Sequence, residues 1–197
     1  MEFTFLDSRR KQLLTSGYEG NDNRDYTMMV RFNPNRQYNF KIRGIRGTRN
    51  SFSDFLPDRN YLIRSQRISP EIAWQPGIYH RLTFEYSYEH RENLQSELPS
   101  EMSASNQLQL DYRFAKAASS VLQARISFID IAFEGQENTP AGYELLNALR
   151  PGQNFTWSLV WQQKITNGLQ LNLSYDGRSS EGNAVIHTGR IQVSALF

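Results

Sequence analysis

The chain has 197 residues, enough for one substantial domain or one small barrel, and its 22 basic residues nearly offset 20 acidic ones. A net charge of +2 gives no reason to expect a nucleic-acid partner, and the absence of cysteine excludes a disulfide framework and thiolate chemistry. Hydrophobic residues reach only 39%, mean hydropathy is -0.62, and no run approaches the ~18 apolar residues of a spanning helix. That test sees helices alone. A membrane-spanning strand alternates apolar and polar residues, so a barrel reads as hydrophilic on average. The aromatic share of 13%, with ten Tyr, twelve Phe and three Trp, suits interfacial girdles and equally suits a carbohydrate-binding face.

The N-terminus runs from Met1-Glu2-Phe3-Thr4-Phe5 straight into Asp7-Ser8-Arg9-Arg10-Lys11, with no apolar stretch or small-residue cleavage site of a signal peptide. The expectation is therefore a mature chain or the C-terminal portion of a longer protein. Phe3 and Phe5 alternate with Thr4 as if the sequence opened inside a strand, which favours the second.

A two-residue period then governs almost the whole chain and predicts ten strands, at 12–19, 25–33, 37–46, 61–74, 78–92, 104–114, 119–134, 153–163, 168–178 and 184–197. In the third, Tyr38, Phe40 and Ile42 oppose Asn39, Lys41 and Arg43. The fourth contains Pro70 and has a clean apolar face only over Ile68, Ile72 and Trp74. In the fifth, Leu82, Phe84, Tyr86 and Tyr88 oppose Arg81, Thr83, Glu85, Ser87 and Glu89. The sixth sets Leu108, Leu110, Tyr112 and Phe114 against Gln107, Gln109, Asp111 and Arg113. The seventh breaks phase between Phe128 and Ile131, which predicts a bulge. The eighth and ninth alternate through Phe155, Trp157, Leu159 and Trp161, then Leu169, Leu171, Leu173 and Tyr175.

The predicted connections carry a second signal. Tight turns at 33–36, 75–77, 115–118 and 164–168 alternate with longer polar loops at 20–24, 47–60, 93–103, 135–152 and 179–183. Bacterial barrels alternate in this way because one end carries short periplasmic turns and the other carries longer outer loops. The order also fits a chain whose C-terminus lies on the periplasmic side, since 179–183 is of the longer kind. The predicted fold is an all-β, antiparallel up-and-down meander forming a transmembrane β-barrel, or the C-terminal part of a larger one, in a single domain over 1–197.

On the polar face stand Lys41, Arg43, Arg81, Glu85, Glu89, Asp111, Arg113, Arg125, Asp176 and Arg190. In a barrel these residues point inward, and charges of both signs pairing across a narrow lumen argue for a filled or partly plugged interior. On a soluble sandwich they would be solvent-facing. The segment Tyr143-Glu144-Leu145-Leu146-Asn147-Ala148-Leu149 suits one or two helical turns stopped by Pro151-Gly152, either with its Leu residues folded over the barrel mouth or as a local loop helix. The basic stretch from Arg43 to Arg49 leads into an outer loop and is read first as a solvated basic loop, with contact to lipopolysaccharide phosphates as the alternative.

Strand parity places His80, His90 and His187 on the apolar face, away from any carboxylate or serine cleft. No zinc spacing, Gly-rich phosphate loop or serine elbow is present, and the sequon at Asn154-Phe155-Thr156 falls in a strand. No enzymatic activity and no cofactor or metal is expected.

The chain ends Gly189-Arg190-Ile191-Gln192-Val193-Ser194-Ala195-Leu196-Phe197. With Ile191, Val193 and Ala195 alternating back from Phe197, this resembles the C-terminal targeting strand of Gram-negative outer-membrane β-barrel proteins, which the barrel-assembly machinery reads. A wider resemblance covers the last third, in Gly142–Gly152, Asn154-Phe155-Thr156-Trp157, Leu171–Arg178 and Ile186-His187-Thr188-Gly189. It is similar to the closing segment of large outer-membrane proteins of unestablished role. That resemblance implies a barrel end piece in the outer membrane, with outer-membrane lipid including lipopolysaccharide and the assembly machinery as partners. Its function would be structural or transport-associated. The competing expectation is a soluble β-sandwich or small barrel that binds carbohydrate or another ligand through its aromatic face.

Overall fold

The computed structural model describes residues 1–15, 17–95, 101–117, 119–166 and 168–195. Among them the chain forms ten strands: β1 (Glu2–Leu14), β2 (Gly17–Phe32), β3 (Tyr38–Ser53), β4 (Tyr61–Trp74), β5 (His80–Asn93), β6 (Met102–Lys116), β7 (Ser120–Glu134), β8 (Gly152–Thr166), β9 (Leu169–Ser180) and β10 (Ile186–Ala195). All ten lie in one antiparallel sheet in sequence order, with β1 and β10 at its edges. No second sheet packs on it among the described residues, so the sandwich expectation is not met. A 3-10 turn (Pro57–Arg59) and one short helix, α1 (Pro140–Leu145), lie in the connections. Among the described residues no helix is long and apolar enough to cross a membrane, which says nothing of strands.

The two faces of this sheet invert the usual rule. Along β4, Ile68 and Ile72 are 52% and 45% exposed, whereas Ser69 and Glu71 between them are 3% and 7% exposed. The same holds on β5, where Phe84 and Tyr88 are exposed while Ser87, Glu89, Arg91 and Asn93 are buried. Crowding on one face and exposure on the other is the signature of a sheet curled with its polar side inside. Charged and polar side chains outnumber apolar ones among the buried residues, the reverse of a globular core.

Several expectations need correction. The first strand is β1 at Glu2–Leu14, not 12–19, and the predicted loop 20–24 lies inside β2. Gly20, Asn21, Asp22 and Asn23 have turn-forming chemistry, but β1 and β3 pair with them on both sides, as in Arg9↔Asp22↔Asn50, and the two ladders override local propensity. The first connection is therefore a tight one at the end that otherwise carries the longer loops, so the alternation is less strict than expected. Residues 47–53 likewise belong to β3.

The bulge expected in β7 is absent. Its register runs unbroken against β6 and β8, and the irregularity lies instead between Lys164 and Thr166 of β8. The phase break has another cause: Ile129, Ile131 and Phe133 point to the polar face near the long connection 135–151, where the interior itself turns apolar. Pro70 is accommodated because its missing N–H falls on the β5 side. There the pairing skips Ser69 and Pro70 and resumes in the same register at Glu71↔Glu85.

On the apolar face, Gly177 of β9 faces Trp157 of β8, whose indole lies where a Cβ would sit. An aromatic ring covering a strand glycine fills the gap it leaves in the sheet surface. Gly177→Val should therefore force the ring aside and lower stability by about 1–3 kcal/mol, whereas Gly189→Val, with open space around it, should be close to neutral. Denaturant midpoints of the two variants measure the difference.

Candidate functional site

Following the pairing register strand by strand places all the charges singled out above on one face. Lys41 pairs across to Glu71 and on to Glu85, Arg81 to Arg113, Asp111 to Arg125, Arg125 to Ser158 and Asp176, and Arg190 joins through Ser174. Arg43 shares that face opposite Ser69. Their partners are not all those that alternation along one strand would suggest. Lys41 forms an ion pair with buried Glu71, Arg125 Nε donates to Asp111 at 2.6 Å, and Glu89 is gripped by Arg67 at 2.6 Å and Arg91 at 3.0 Å. Arg43, Arg81, Glu85, Arg113, Asp176 and Arg190 enter no ion pair within 4 Å among the described residues.

Two like-charge juxtapositions stand out. Glu85 lies opposite Glu71, and Arg81 directly opposite Arg113, an arrangement that destabilises a ladder unless something else compensates. Lys41 compensates the first. The second sits in a hollow of about 430 Å³ lined by Arg81, Arg113, Arg125 and Asp111, with one carboxylate for three guanidinium groups. Toward the short turns, Arg31, Arg36 and Lys41 with Glu71 line a second hollow. This half of the polar face is net cationic.

At the long-loop end the polar face is covered. Segment 135–151 folds back over it, capped at Thr139, whose hydroxyl accepts from Gly142 N–H at 2.9 Å, and started by Pro140. The helix α1 begins earlier than the 143–149 expected and stops at Asn147 and Ala148, both in left-handed backbone at φ 53° and 60°. Three hydrogen bonds fasten it to three strands. Arg91 on β5 donates to the Glu144 carbonyl at 2.6 Å, Ser103 on β6 to the Leu145 carbonyl at 2.8 Å, and Arg49 on β3 to the Glu144 carboxylate at 2.8 Å. Leu145 and Leu146 are buried, as are Ile63 on β4 and Ile131 on β7 of the same face. At this rim, burial and then the Glu144 carboxylate push the Tyr61 phenol above its ordinary pKa.

Asn154 secures the return of the segment. Fully buried at the start of β8, it donates to the Arg150 and Gly152 carbonyls at 2.7 and 3.1 Å and accepts from Ser180 Oγ at 2.7 Å. Sequence reasoning missed Arg49, Arg67, Glu71, Arg91, Glu144 and Asn154 as members of this network. Strand parity carried the signal for Glu71 and Arg91, which share the face of residues that were found.

Elsewhere, Ile191, Val193 and Ala195 stand exposed on the apolar face of β10, opposite Leu173, Leu171 and Leu169, while Phe197 lies outside the described residues. His80 and His187 are on the apolar face, their ring nitrogens 2.9 and 2.8 Å from the hydroxyls of Tyr112 and Tyr175. The basic stretch Arg43–Arg49 is strand and not loop, so alternate residues part company: Arg43 and Arg49 lie on the polar face and Arg46 on the apolar one.

Arg91 both anchors α1 and balances Glu89, so Arg91→Ala removes a buried hydrogen bond worth about 1–3 kcal/mol. Limited proteolysis should then cut within 135–151 on the order of tenfold faster than in the parent. Glu144→Ala, which loses only the partly exposed pair with Arg49, should give a smaller change.

No family model matches the chain, and no curated protein matches it. Among solved structures it is similar to the translocator domain of autotransporter NalP from Neisseria meningitidis, with a TM-score of 0.38 and 11% identity over 99% of this chain and 86% of that one. At that TM-score the likeness carries no function across.

Proposed function

We propose that the protein forms the wall of a Gram-negative outer-membrane β-barrel with a non-catalytic, transport-associated role, its apolar face on lipid and its polar face lining a partly plugged interior. The observation that carries this is the inverted burial of the two faces. Exposing an apolar side chain to water forgoes about 1.5–3 kcal/mol relative to burial. Phe40, Ile42, Ile68, Ile72, Phe84, Leu108, Leu110, Ile126, Phe128 and Phe155 are all exposed on one face. Losing even about 1 kcal/mol at each consumes a typical net stability of 5–15 kcal/mol. In acyl chains the same face is at home, and the paired strands leave few backbone groups unsatisfied there.

The dimensions agree. From Tyr38 to Arg46 the β3 strand runs nine residues from an aromatic margin to the first outward charge, and a tilted spanning strand needs about 9–11. Tyr38, Trp74 and Tyr112 mark one margin of the band and Tyr26 and Tyr88 the other, as interfacial girdles do. The short turns then face the periplasm and α1 fills the outer mouth. The cationic half of the interior, around Arg81 and Arg113, suits an anionic solute or segment. The edge strand β10, with Ile191 and Val193 outward, is the segment offered to the barrel-assembly machinery.

Because the sequence contains no cysteine, single introduced thiols report each face separately. In the protein refolded into vesicles, Phe84→Cys and Leu110→Cys carrying a fluorophore should be quenched by spin-labelled acyl chains, while Thr83→Cys and Ser158→Cys should react with a charged, water-soluble thiol reagent. Equal aqueous reactivity on both faces would overturn the proposal.

A further inference from the structure

The apolar face is not uniformly filled. It carries glycines at 20, 44, 177 and 189, and at 20 and 177 an aromatic ring, Phe52 or Trp157, lies over the gap. Gly44 of β3 is different: nothing stands within 4 Å of where its Cβ would be, although it lies between β2 and β4 in the body of the sheet and not at an edge. The result is a groove of about 520 Å³ walled by Phe3, Met28, Ile68 and Tyr88. In the ladder row immediately toward the long loops the lining turns polar, with Arg46, Gln66 and His90. One row further stand Arg24 and Arg64, both exposed.

An apolar trough capped by guanidinium groups matches an acyl chain joined to an anionic headgroup. The nearby carboxylates leave the charge centred on Arg46. Asp7 is already held by Arg9 at 2.8 Å and Arg24 at 3.5 Å, Glu92 faces Arg64, and the row of Arg46 itself (Phe5, Tyr26, Gln66, His90) contains no carboxylate. Arg46 is in no ion pair within 4 Å among the described residues. Its planar fork is suited to bidentate contact with a phosphate.

We propose that this groove is a lipid-binding site, an acyl chain lying over Gly44 and a phosphate of its headgroup held by Arg46 with Arg24 and Arg64 beside it. The inference rests on the membrane reading above. In that reading the capped end of the groove is the outer end, so the occupant is the phosphorylated glycolipid of the outer leaflet.

The test is native mass spectrometry of the whole detergent-solubilised chain titrated with bisphosphorylated lipid A, and in parallel with phosphatidylglycerol. The parent should bind lipid A in preference. Arg46→Gln, which removes a charge-assisted contact at an exposed position, and Gly44→Leu, which fills the trough, should each weaken lipid A binding about tenfold or more and leave the thiol-labelling pattern of the two faces intact. Unchanged lipid A affinity in Arg46→Gln overturns the site while leaving the membrane reading in place. Equal affinity of the parent for phosphatidylglycerol overturns the assignment to the glycolipid. Loss of lipid contact in the thiol experiment overturns both readings together.

Discussion

Everything in this structure follows from one constraint: successive side chains of a strand point to opposite faces, and every strand is in register with its neighbours. With a period of two and a continuous ladder from β1 to β10, the chemistry of one residue fixes the side taken by its partners across the sheet. A slip of one residue would carry Arg81, Glu85 and Glu89 to the face of Phe84 and Tyr88. In water such a slip exchanges one mixed surface for another. In a bilayer it turns Glu85 and Glu89 toward hydrocarbon and Arg81 toward its margin, each at a cost that grows with depth. In the proposed membrane setting the surroundings therefore enforce the register much as a packed core does.

The interior solves a different problem. Buried charges need partners, and a pair that loses one member leaves an uncompensated charge. Glu89 has two guanidinium groups and Lys41 has Glu71, so each of the two buried carboxylates meets a partner of opposite sign. Toward the long loops the solution changes. There the strands present Ile63, Ile129 and Ile131 inward, and Leu145 and Leu146 of the returning segment share the same end of the interior. The polar contacts to α1 go mainly to backbone carbonyls at its C-terminal end, those of Glu144 and Leu145. A six-residue helix has little stability of its own. Its position is set by Arg49, Arg91 and Ser103, whose backbones are held in the strand ladders.

What the sequence revealed and what it concealed separate along the same line. Wherever one face was uniformly apolar, as in Leu82–Tyr88 or Leu108–Phe114, strand, face and approximate ends could all be read from it. The misreadings fall beyond the apolar band. Residues Gly20–Asn23 and Gly47–Ser51 carry only polar side chains or glycine on both faces, so no alternation marks them, and pairing with neighbours keeps them extended. The apparent defect in β7 was a change in what the interior contacts. Alternation reports the polarity of each side's surroundings, and at Ile129 and Ile131 those surroundings are a folded loop. The ion pairs were legible only as a supply of charges, because Arg67 reaches Glu89 across strands, a contact that alternation along one strand does not record. Glu144 had no period to betray it.

The outermost ladders raise the remaining structural demand. β1 and β10 are each hydrogen-bonded on one side, and in hydrocarbon an open row of N–H and C=O groups costs several kcal/mol for each unsatisfied group. Within the band each edge must therefore meet another strand, whether the edges close on each other or take further strands between them. Their side chains are ready for either. On β1, Phe3 and Phe5 continue the apolar face and Thr4 and Ser8 the polar one, and on β10 Ile191 and Val193 oppose Arg190 and Gln192. Within the band both edges thus continue the two-sided pattern, with no proline or charge at Phe3, Phe5, Ile191 or Val193 of the kind soluble sheets use to blunt an edge, and the charges of β1 on that face, Asp7, Arg9 and Lys11, lie beyond the band toward the long loops. An edge built to be extended, on a sheet whose greasy side faces out, is what a barrel wall requires and what a soluble sheet avoids.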